Sequence, residues 1–149
     1  AKPVDQVDSR IQQLIDNMSE TMYSAPGIGL AAPQVNVLER IIVVDISESK
    51  DSLLAMVNPE IIDSEGQAET EEGCLSVPGI YAPVNRYEKI QVRAQDKKGE
   101  SFELEAEGLL SICIQHEIDH LDGKVFVDYL SRLKQERIRK KMKKTLRIT

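Results

Sequence analysis

The 149-residue chain has little of the residue types that carry special chemistry: it contains no Trp, two Phe, two Cys and two His. Two cysteines cannot build the disulfide framework of a small secreted domain, and they suit a reducing compartment. No apolar run approaches the roughly 20 residues of a membrane-spanning helix, and the first residues lack the charged-then-apolar pattern of a signal peptide. We therefore expect a cytoplasmic protein that does not enter a membrane.

Charge is distributed unevenly along the chain, whose net charge is −6. Residues 131–149 contain nine Lys or Arg against one Glu, while the preceding residues contain 10 basic and 24 acidic residues. Ser131 can cap a helix in this basic segment, and a narrow apolar stripe follows it. The segment is either a solvated helix docked on the acidic body or a surface for an anionic partner.

Both histidines of the chain stand in the sequence QHEIDHLDG, a His-Glu-x-x-His motif. On a helix, residues four apart share a face, so His116 and His120 project together with Glu117 beside them. Such a pair binds a divalent metal ion, and the carboxylate can move the proton of a metal-activated water. Surface histidines at chance spacing are the alternative, but the apolar run before the motif favours a buried helix. The motif thus predicts metal-assisted hydrolysis.

A third protein ligand must complete such a site, and the sequence offers three possibilities. A longer protease motif would need His at position 126, where Phe126 cannot bind metal. Cys113 lies seven residues from His120, about 10 Å along a helix axis, which is too far for one ion. Cys74 in the sequence EGCLS is the strongest candidate, although a buried structural thiol is the alternative. The backbone N–H of Leu75, just after it, could face a ligand at the metal.

Small residues dominate the sequence GIGLAAPQ at positions 27–34. This is not a dinucleotide-binding loop, because the third glycine is missing and the segment follows a predicted helix instead of a strand. The small residues would instead let an extended ligand approach the backbone, and Gln34 offers an amide donor to a developing oxyanion. A turn with an incidental glutamine is the alternative.

The three motifs GIGLAAPQ, EGCLS and QHEIDHL, in this order and at these separations, resemble those of the peptide deformylases. The resemblance covers essentially the whole chain. It implies removal of the N-formyl group from the initiating methionine of nascent polypeptides, with release of formate. Glu117 would act as general base and then general acid, and the Gln34 side chain and the Leu75 N–H would stabilise the oxyanion. The implied metal ligands are Cys74, His116 and His120.

The same resemblance implies how substrate and cofactor bind. The peptide backbone would pair beside Gly29, and the methionine side chain would enter a pocket to which Leu109, Ile112 and Cys113 contribute. The resembled enzymes typically use Fe²⁺, whereas a Cys-His-His set also suits Zn²⁺, Ni²⁺ or Co²⁺. The partner of the basic C-terminal helix would be the ribosome near its nascent-chain exit. We expect a monomer, and members of the resembled family generally begin earlier than this chain does.

Two other classes of protein stay open from the sequence. One is a metallopeptidase that uses the same motif on internal peptide bonds, against which the missing histidine at position 126 argues. The other is a ribosome-binding protein with a structural metal, but structural sites are usually closed by four protein ligands and only three are visible.

The pattern of apolar residues predicts an α+β fold in one domain spanning residues 1–149. Apolar spacing indicates a helix over roughly residues 5–23 and a second one near residues 107–121. Short β-rich runs lie between Glu39 and about Leu104, with a hairpin turn at Asp96–Gly99. We expect mainly antiparallel strands packed around a central metal-binding helix, with helices at both ends of the chain. The predicted strands include 41–46, 53–57, 90–94 and 101–105.

Overall fold

The computed structural model of the chain describes residues 1–74 and 77–123, with residues 71–74 and 77–83 described by their backbone alone. The helices of this part are α1 (Ser9–Ser24) and α2 (Leu109–Leu121), and a short 3-10 helix spans Ala32–Val35. The strands are β1 (Gly29–Ala31), β2 (Ile41–Val44), β3 (Leu54–Glu65), β4 (Ala68–Cys74), β5 (Val77–Arg86), β6 (Lys89–Gln95) and β7 (Ser101–Glu107).

The strands form one larger sheet and one separate hairpin. Five strands pair in the order β1-β2-β3-β6-β7, and every neighbouring pair is antiparallel. Strands β4 and β5 pair only with each other within the described residues. The predicted α+β fold with mainly antiparallel strands is thus confirmed, whereas the predicted C-terminal helix lies outside the described residues.

The larger sheet is buried on both faces at its β2 strand. All four residues of β2 are inaccessible to solvent, as expected of a continuous apolar run covered from two sides. Ile41 and Val43 pack with the apolar face of α1, while Ile42 and Val44 pack with α2. Because successive side chains on a strand point to opposite faces, the two helices must cover opposite faces of the sheet.

Helix α1 begins at Ser9 instead of near residue 5 because Asp8 caps it. The Asp8 backbone is extended, and its carboxylate accepts a hydrogen bond from the Ile11 N–H at 3.1 Å. An N-cap of this kind satisfies one of the backbone donors that a helix start leaves without a partner. The predicted apolar face is otherwise confirmed, since the residues buried along α1 include Ile11, Ile15, Met18 and Met22.

Strand β3 is longer than the predicted segment 53–57. Pro59 follows that segment, and a proline normally excludes a central strand position. The strand instead passes through an irregularity at Asn58, whose φ is +53°, and pairs with β6 as far as Glu65. The Asn58 side chain stabilises this bulge by bonding the N–H and carbonyl of Val4 at 2.7 and 2.8 Å.

The turn before β7 and the helix after it were both predicted from the sequence. The turn at Asp96–Gly99 closes with a hydrogen bond from the Gly99 N–H to the Asp96 carbonyl, and Gly99 has a φ of +84°. Gly108, with a φ of +62°, then precedes α2, so the helix begins two residues later than predicted.

Strands β1, β4 and β5 were not predicted individually, because each is short of apolar alternation or rich in glycine and acidic residues.

Candidate metal centre

The two histidines of α2 converge on one point. Their Nε2 atoms lie 3.2 Å apart, and the planes of the two rings meet at 71°. Two nitrogens bound to one ion with bonds of about 2.05 Å and a tetrahedral angle would lie about 3.3 Å apart. His116 and His120 therefore already have the spacing that a four-coordinate divalent cation requires.

Glu117 lies beside this pair and is only 3% exposed. One ligand atom from each of His116, Glu117 and His120 falls within 4.8 Å of the others. Burying a carboxylate costs free energy unless donors or positive charge compensate it. A cation held by the histidines would supply such charge, so the donor set fits a metal ion.

Glycine at position 29 makes room for the Glu117 carboxylate. A Cβ atom added at Gly29 would lie 2.5 Å from Glu117 Oε2 and 2.8 Å from Cys113 Sγ, closer than any side chain could tolerate. Any other residue type at this position would force the Glu117 and Cys113 side chains to shift, so Gly29 lets strand β1 lie this close to α2. The β1 backbone forms one wall of the candidate site.

Gln34 is held with a defined orientation of its side-chain amide. Its Oε1 accepts a hydrogen bond from the Ala31 N–H at 2.8 Å. Since the oxygen accepts this bond, the Nε2 group is the end of the amide that can donate to a ligand. The 3-10 helix that carries Gln34 packs against α2, which brings this donor to the same element as the histidines.

The predicted pocket residues share a helix face with the histidines. Leu109, Ile112 and Cys113 lie seven, four and three residues before His116, and such spacings place side chains on one side of a helix. Leu109 is 53% exposed, Ile112 is half-buried and Cys113 is buried. The Cys113 thiol donates to the carbonyl of Ile28 at 3.6 Å. This face is thus apolar at its N-terminal end and carries the histidines at its C-terminal end.

The second motif is described only in part. Cys74 ends β4 and pairs with Val77 across the hairpin, but its side chain lies outside the described part of the chain. Leu75, the predicted oxyanion donor, also lies outside the described residues, as does the basic segment at 131–149. Their roles stay predictions.

A cluster of polar residues anchors the start of β1. Asp45 accepts hydrogen bonds from the Ser47 hydroxyl at 2.5 Å, from the Tyr23 hydroxyl at 2.6 Å and from the N–H groups of Ser47 and Ser52. Burial by itself would raise the pKa of Asp45, but these hydrogen bonds outweigh it and the pKa is lowered. Burial, followed by the contact with Asp45, raises the pKa of Tyr23 to about 12. The Asp45 N–H in turn donates to the Ile28 carbonyl, next to Gly29.

Sequence reasoning missed the polar contacts on the other side of α2. Arg86, at the end of β5, forms a largely buried ion pair with Asp119, which stands between the two histidines in the motif. Gln115 bonds both backbone groups of Tyr87. Asp119 and Gln115 are visible in the motif sequence, but nothing in the sequence indicates that the end of β5 would lie against them.

None of the described helices is both long enough and apolar enough to cross a membrane.

Comparison with known proteins gives consistent matches over nearly the full length. Residues 1–136 match the family model described as polypeptide deformylase. Peptide deformylase 1 of Burkholderia multivorans is 63% identical over 145 residues, covering 97% of this chain and 80% of that protein. A peptide deformylase structure from Legionella pneumophila has a TM-score of 0.94 at 53% identity and covers 99% of this chain and 88% of its own. The Ehrlichia chaffeensis peptide deformylase in complex with actinonin has a TM-score of 0.92 at 39% identity, with 97% and 88% covered.

Proposed function

The chain belongs to the polypeptide deformylase family, and from that membership we propose that it removes the N-formyl group from the initiating methionine of nascent polypeptides, releasing formate. The observation that carries the proposal is the convergence of the His116 and His120 Nε2 atoms beside the buried Glu117 carboxylate. We further propose that residues 1–149 act as one catalytic domain.

The proposed cation ligands are the two imidazoles and the thiolate of Cys74. Three protein ligands leave one position open, as catalytic sites do. When bound, the cation supplies Lewis acidity, lowering the pKa of water to about neutrality and polarising the formyl carbonyl. We propose Fe²⁺ because the resembled enzymes typically use it, while Zn²⁺, Ni²⁺ and Co²⁺ suit the same ligands. Iron(II) beside a thiolate is prone to oxidation, so activity lost in air but kept in nickel-loaded protein would support iron.

Glu117 is the proposed proton carrier. Its carboxylate takes a proton from the attacking water and passes it to the amide nitrogen that becomes the new amino terminus. The carbon–nitrogen bond of the formamide breaks, a carbon–oxygen bond forms, and formate leaves. The burial of Glu117 against the β1 backbone supports this role, because it keeps the carboxylate in one place beside the histidines.

Two donors are proposed for the negative charge that develops on the formyl oxygen. Donors that are already oriented stabilise such charge without reorganisation during the reaction. The bond between Gln34 Oε1 and the Ala31 N–H supports the first donor, Gln34 Nε2, because it fixes which end of the amide can donate. The second proposed donor is the backbone N–H of Leu75.

The proposed methionine pocket uses the apolar half of the same face of α2. Leu109, Ile112 and Cys113 would contact the methionine side chain, and the peptide backbone would run beside Gly29. A formyl carbon bears only hydrogen, so a narrow site can admit it and exclude larger acyl groups. The close approach of β1 to Glu117 and Cys113 supports a narrow site.

Formate release tests the proposal directly. Protein purified without oxygen and loaded with iron or nickel is given a formyl-Met peptide, an acetyl-Met peptide and an unblocked peptide. We expect formate from the first substrate alone. Absence of formate with folded, metal-loaded protein would contradict the proposal, and cleavage of the unblocked peptide would indicate a peptidase instead.

Inhibitor binding gives an independent test. Actinonin is bound in the peptide deformylase of Ehrlichia chaffeensis, which shares this fold. We propose that actinonin also binds this chain and inhibits formate release in competition with the formyl-Met peptide. Uncompetitive inhibition, or none at saturating actinonin, would argue against a shared site.

The proposed partners follow from the sequence. The enzyme is proposed to be monomeric and to act in the cytoplasm. Its basic segment at 131–149 would bind the ribosome, where nascent chains are available. Deleting this segment should weaken cosedimentation with ribosomes at low salt while leaving hydrolysis of a short formyl-Met peptide unchanged. Equal cosedimentation of both forms would contradict this part of the proposal.

A further inference from the structure

A row of polar side chains on α2 holds the end of β5. Arg86 forms an ion pair with Asp119, and the two side chains are only 5% and 18% exposed. One turn earlier, the Gln115 side chain accepts from the Tyr87 N–H at 2.9 Å and donates to the Tyr87 carbonyl at 2.7 Å. The Ser111 hydroxyl donates to the same carbonyl at 3.0 Å. Arg86 and Tyr87, at the end of the hairpin, are therefore bound by side chains spaced four residues apart along α2, those of Ser111, Gln115 and Asp119.

This polar row lies beside the histidines. Positions four apart form stripes along a helix, so His116 and His120 occupy one stripe, with Asp119 in the next stripe on one side. Glu117 lies in the next stripe on the other side, where it packs against β1. Helix α2 is thus held on both flanks of its histidine stripe, by β1 and by the end of β5. Contacts on both flanks fix the rotation of the helix about its axis, and hence the direction of both imidazoles.

The strand bound by this row belongs to the hairpin that carries Cys74. Strands β4 and β5 pair with each other and are separate from the five-stranded sheet within the described residues. The three proposed ligands therefore come from two elements, the hairpin and α2. Metal–ligand bonds tolerate errors of only about 0.2 Å. The placement of the hairpin against α2 must accordingly be well defined.

We propose that the largely buried ion pair between Arg86 and Asp119 positions the hairpin bearing Cys74 against α2, and thereby sets the affinity of the site for its cation. The inference rests on the proposed three-ligand metal site. Both residues act through the ligands and do not touch the cation, so they are positioning residues. The planar guanidinium suits this task because it holds a carboxylate in a fixed direction.

Stability alone is a poor explanation for such a pair. Taking two charges out of water costs about as much as their attraction returns, and apolar replacements of similar size are often neutral or stabilising. An ion pair differs from an apolar contact mainly in its directionality. A variant with an apolar pair should therefore separate a positional role from a structural one.

The test compares wild type with the double variant Arg86→Met/Asp119→Leu. Co²⁺ affinity is measured by competition with a chelator, and the thiolate-to-cobalt absorption band reports whether Cys74 binds the ion. We expect the double variant to unfold at a denaturant concentration close to that of wild type. Its dissociation constant for Co²⁺ should rise by about 10–100-fold, the usual range for residues that support metal ligands, and its thiolate band should weaken.

A second ion pair, at the C-terminal end of the same helix, provides a matched control. Asp122, which follows α2, pairs with Arg40 at 2.8 Å in a more exposed position. The variant Arg40→Met/Asp122→Leu removes an ion pair of the same type, and we expect it to keep the Co²⁺ affinity and the thiolate band of wild type. Arg86→Lys keeps the charge but loses the fork of the guanidinium, so it should weaken Co²⁺ binding less than the double variant does.

The outcomes separate the inference from the proposed function. If wild type binds Co²⁺ without a thiolate band, the proposed ligand set is wrong. If wild type shows the band and the folded double variant matches it in affinity and spectrum, the inference is overturned and the ion pair is only structural. If the double variant does not fold, Arg86→Lys decides: wild-type affinity and spectrum in this variant would overturn the inference.

Discussion

At the scale of single residues, the candidate site depends on contacts between residues that are far apart in the sequence. Gly29 and Glu117 meet because strand β1 packs directly against α2, and only a residue without a side chain leaves room for the carboxylate. Gln34 is oriented by a local bond to Ala31, three residues before it. The first of these constraints is long-range and the second is local.

Replacing Glu117 by Gln should abolish proton transfer without loss of the cation. The amide has nearly the same shape but cannot take a proton from water, so we expect kcat to fall by about 10²–10⁴-fold. Metal content measured on the purified variant should equal that of wild type. As a control, Glu20→Gln on the exposed side of α1 should leave kcat unchanged. Full activity of Glu117→Gln would remove the role proposed for this residue.

Replacing Gly29 by Ala should damage both stability and activity. The new Cβ must displace Glu117 Oε2 and Cys113 Sγ, and overpacking of this kind costs about 1–3 kcal/mol of unfolding free energy. Urea unfolding measures this cost, and steady-state kinetics measures the accompanying fall in kcat/KM. Adding Cys113→Ala to Gly29→Ala relieves one of the two collisions, so part of the stability should return. An unchanged midpoint of unfolding in Gly29→Ala would contradict the close approach.

At the scale of elements, three adjacent stripes of α2 have three different roles. One stripe packs toward β1, one carries the histidines and one binds the end of β5. Helix α1 has a simpler role, since its single apolar face covers the opposite side of the sheet. Its last turn also carries Tyr23, whose hydroxyl donates to Asp45, and the Asp45 N–H donates to Ile28 just before β1.

The link between α1 and β2 predicts a dependence of stability on pH. Because the pKa of Tyr23 is raised to about 12, the folded state holds the phenol proton more tightly than the unfolded chain, where Tyr titrates near 10. This contribution is fully present below about pH 10 and is lost as the pH rises toward about 12. The difference in unfolding free energy between wild type and Tyr23→Phe should therefore shrink over this window. A constant difference, measured by urea unfolding at each pH, would contradict the assignment.

The lowered pKa of Asp45 predicts the opposite behaviour in acid. Its carboxylate is more acidic in the folded state than in the unfolded chain, so its contribution is present above the unfolded pKa of about 3.9 and is lost as the pH falls through the folded pKa. Asp45→Asn should be less stable than wild type at neutral pH. The gap between the two proteins should close in acid, and an equal gap at neutral pH and in strong acid would contradict the prediction.

At the scale of the whole molecule, the sheet is covered by α1 on one face and α2 on the other, with the candidate metal centre on the α2 side. The hairpin β4–β5 stands apart from this sheet within the described residues. A cation bound by ligands from both the hairpin and α2 would therefore add a second link between these elements, beside the ion pair of Arg86 and Asp119.

Loading the cation should accordingly raise the thermal stability of the whole protein. A ligand present at about 100 times its dissociation constant adds about 2.7 kcal/mol to the folded state. For a domain of this size that amounts to a rise in Tm of roughly 5–10 °C. Scanning calorimetry with and without Ni²⁺ measures the shift, and a chelator should reverse it. His120→Ala should show little or no shift, and an equal shift in this variant would place the stabilising cation elsewhere.

Sequence reasoning predicted the local parts of the fold better than the long-range ones. The extents of α2 and of the turn at Asp96–Gly99 depend on helical periodicity and turn chemistry, which are properties of neighbouring residues. The bulge at Asn58 was not predicted, because its stability comes from contacts with Val4 in a distant segment. Strands β4 and β5 were not predicted because the first is rich in acidic residues and the second contains glycine and two prolines, so neither shows an apolar alternation in the sequence.

The sequence by itself determined which chemistry the chain can perform. Two histidines four residues apart, with a glutamate between them, must converge once the segment is helical, because the helical repeat is a property of the backbone. Only the tertiary structure decided what surrounds them: the β1 backbone at Gly29 against the carboxylate, and the end of β5 at Arg86 against Asp119. Such contacts arise from the packing of the two helices, the sheet and the hairpin together, and packing depends on the whole set of buried side chains instead of on any one segment.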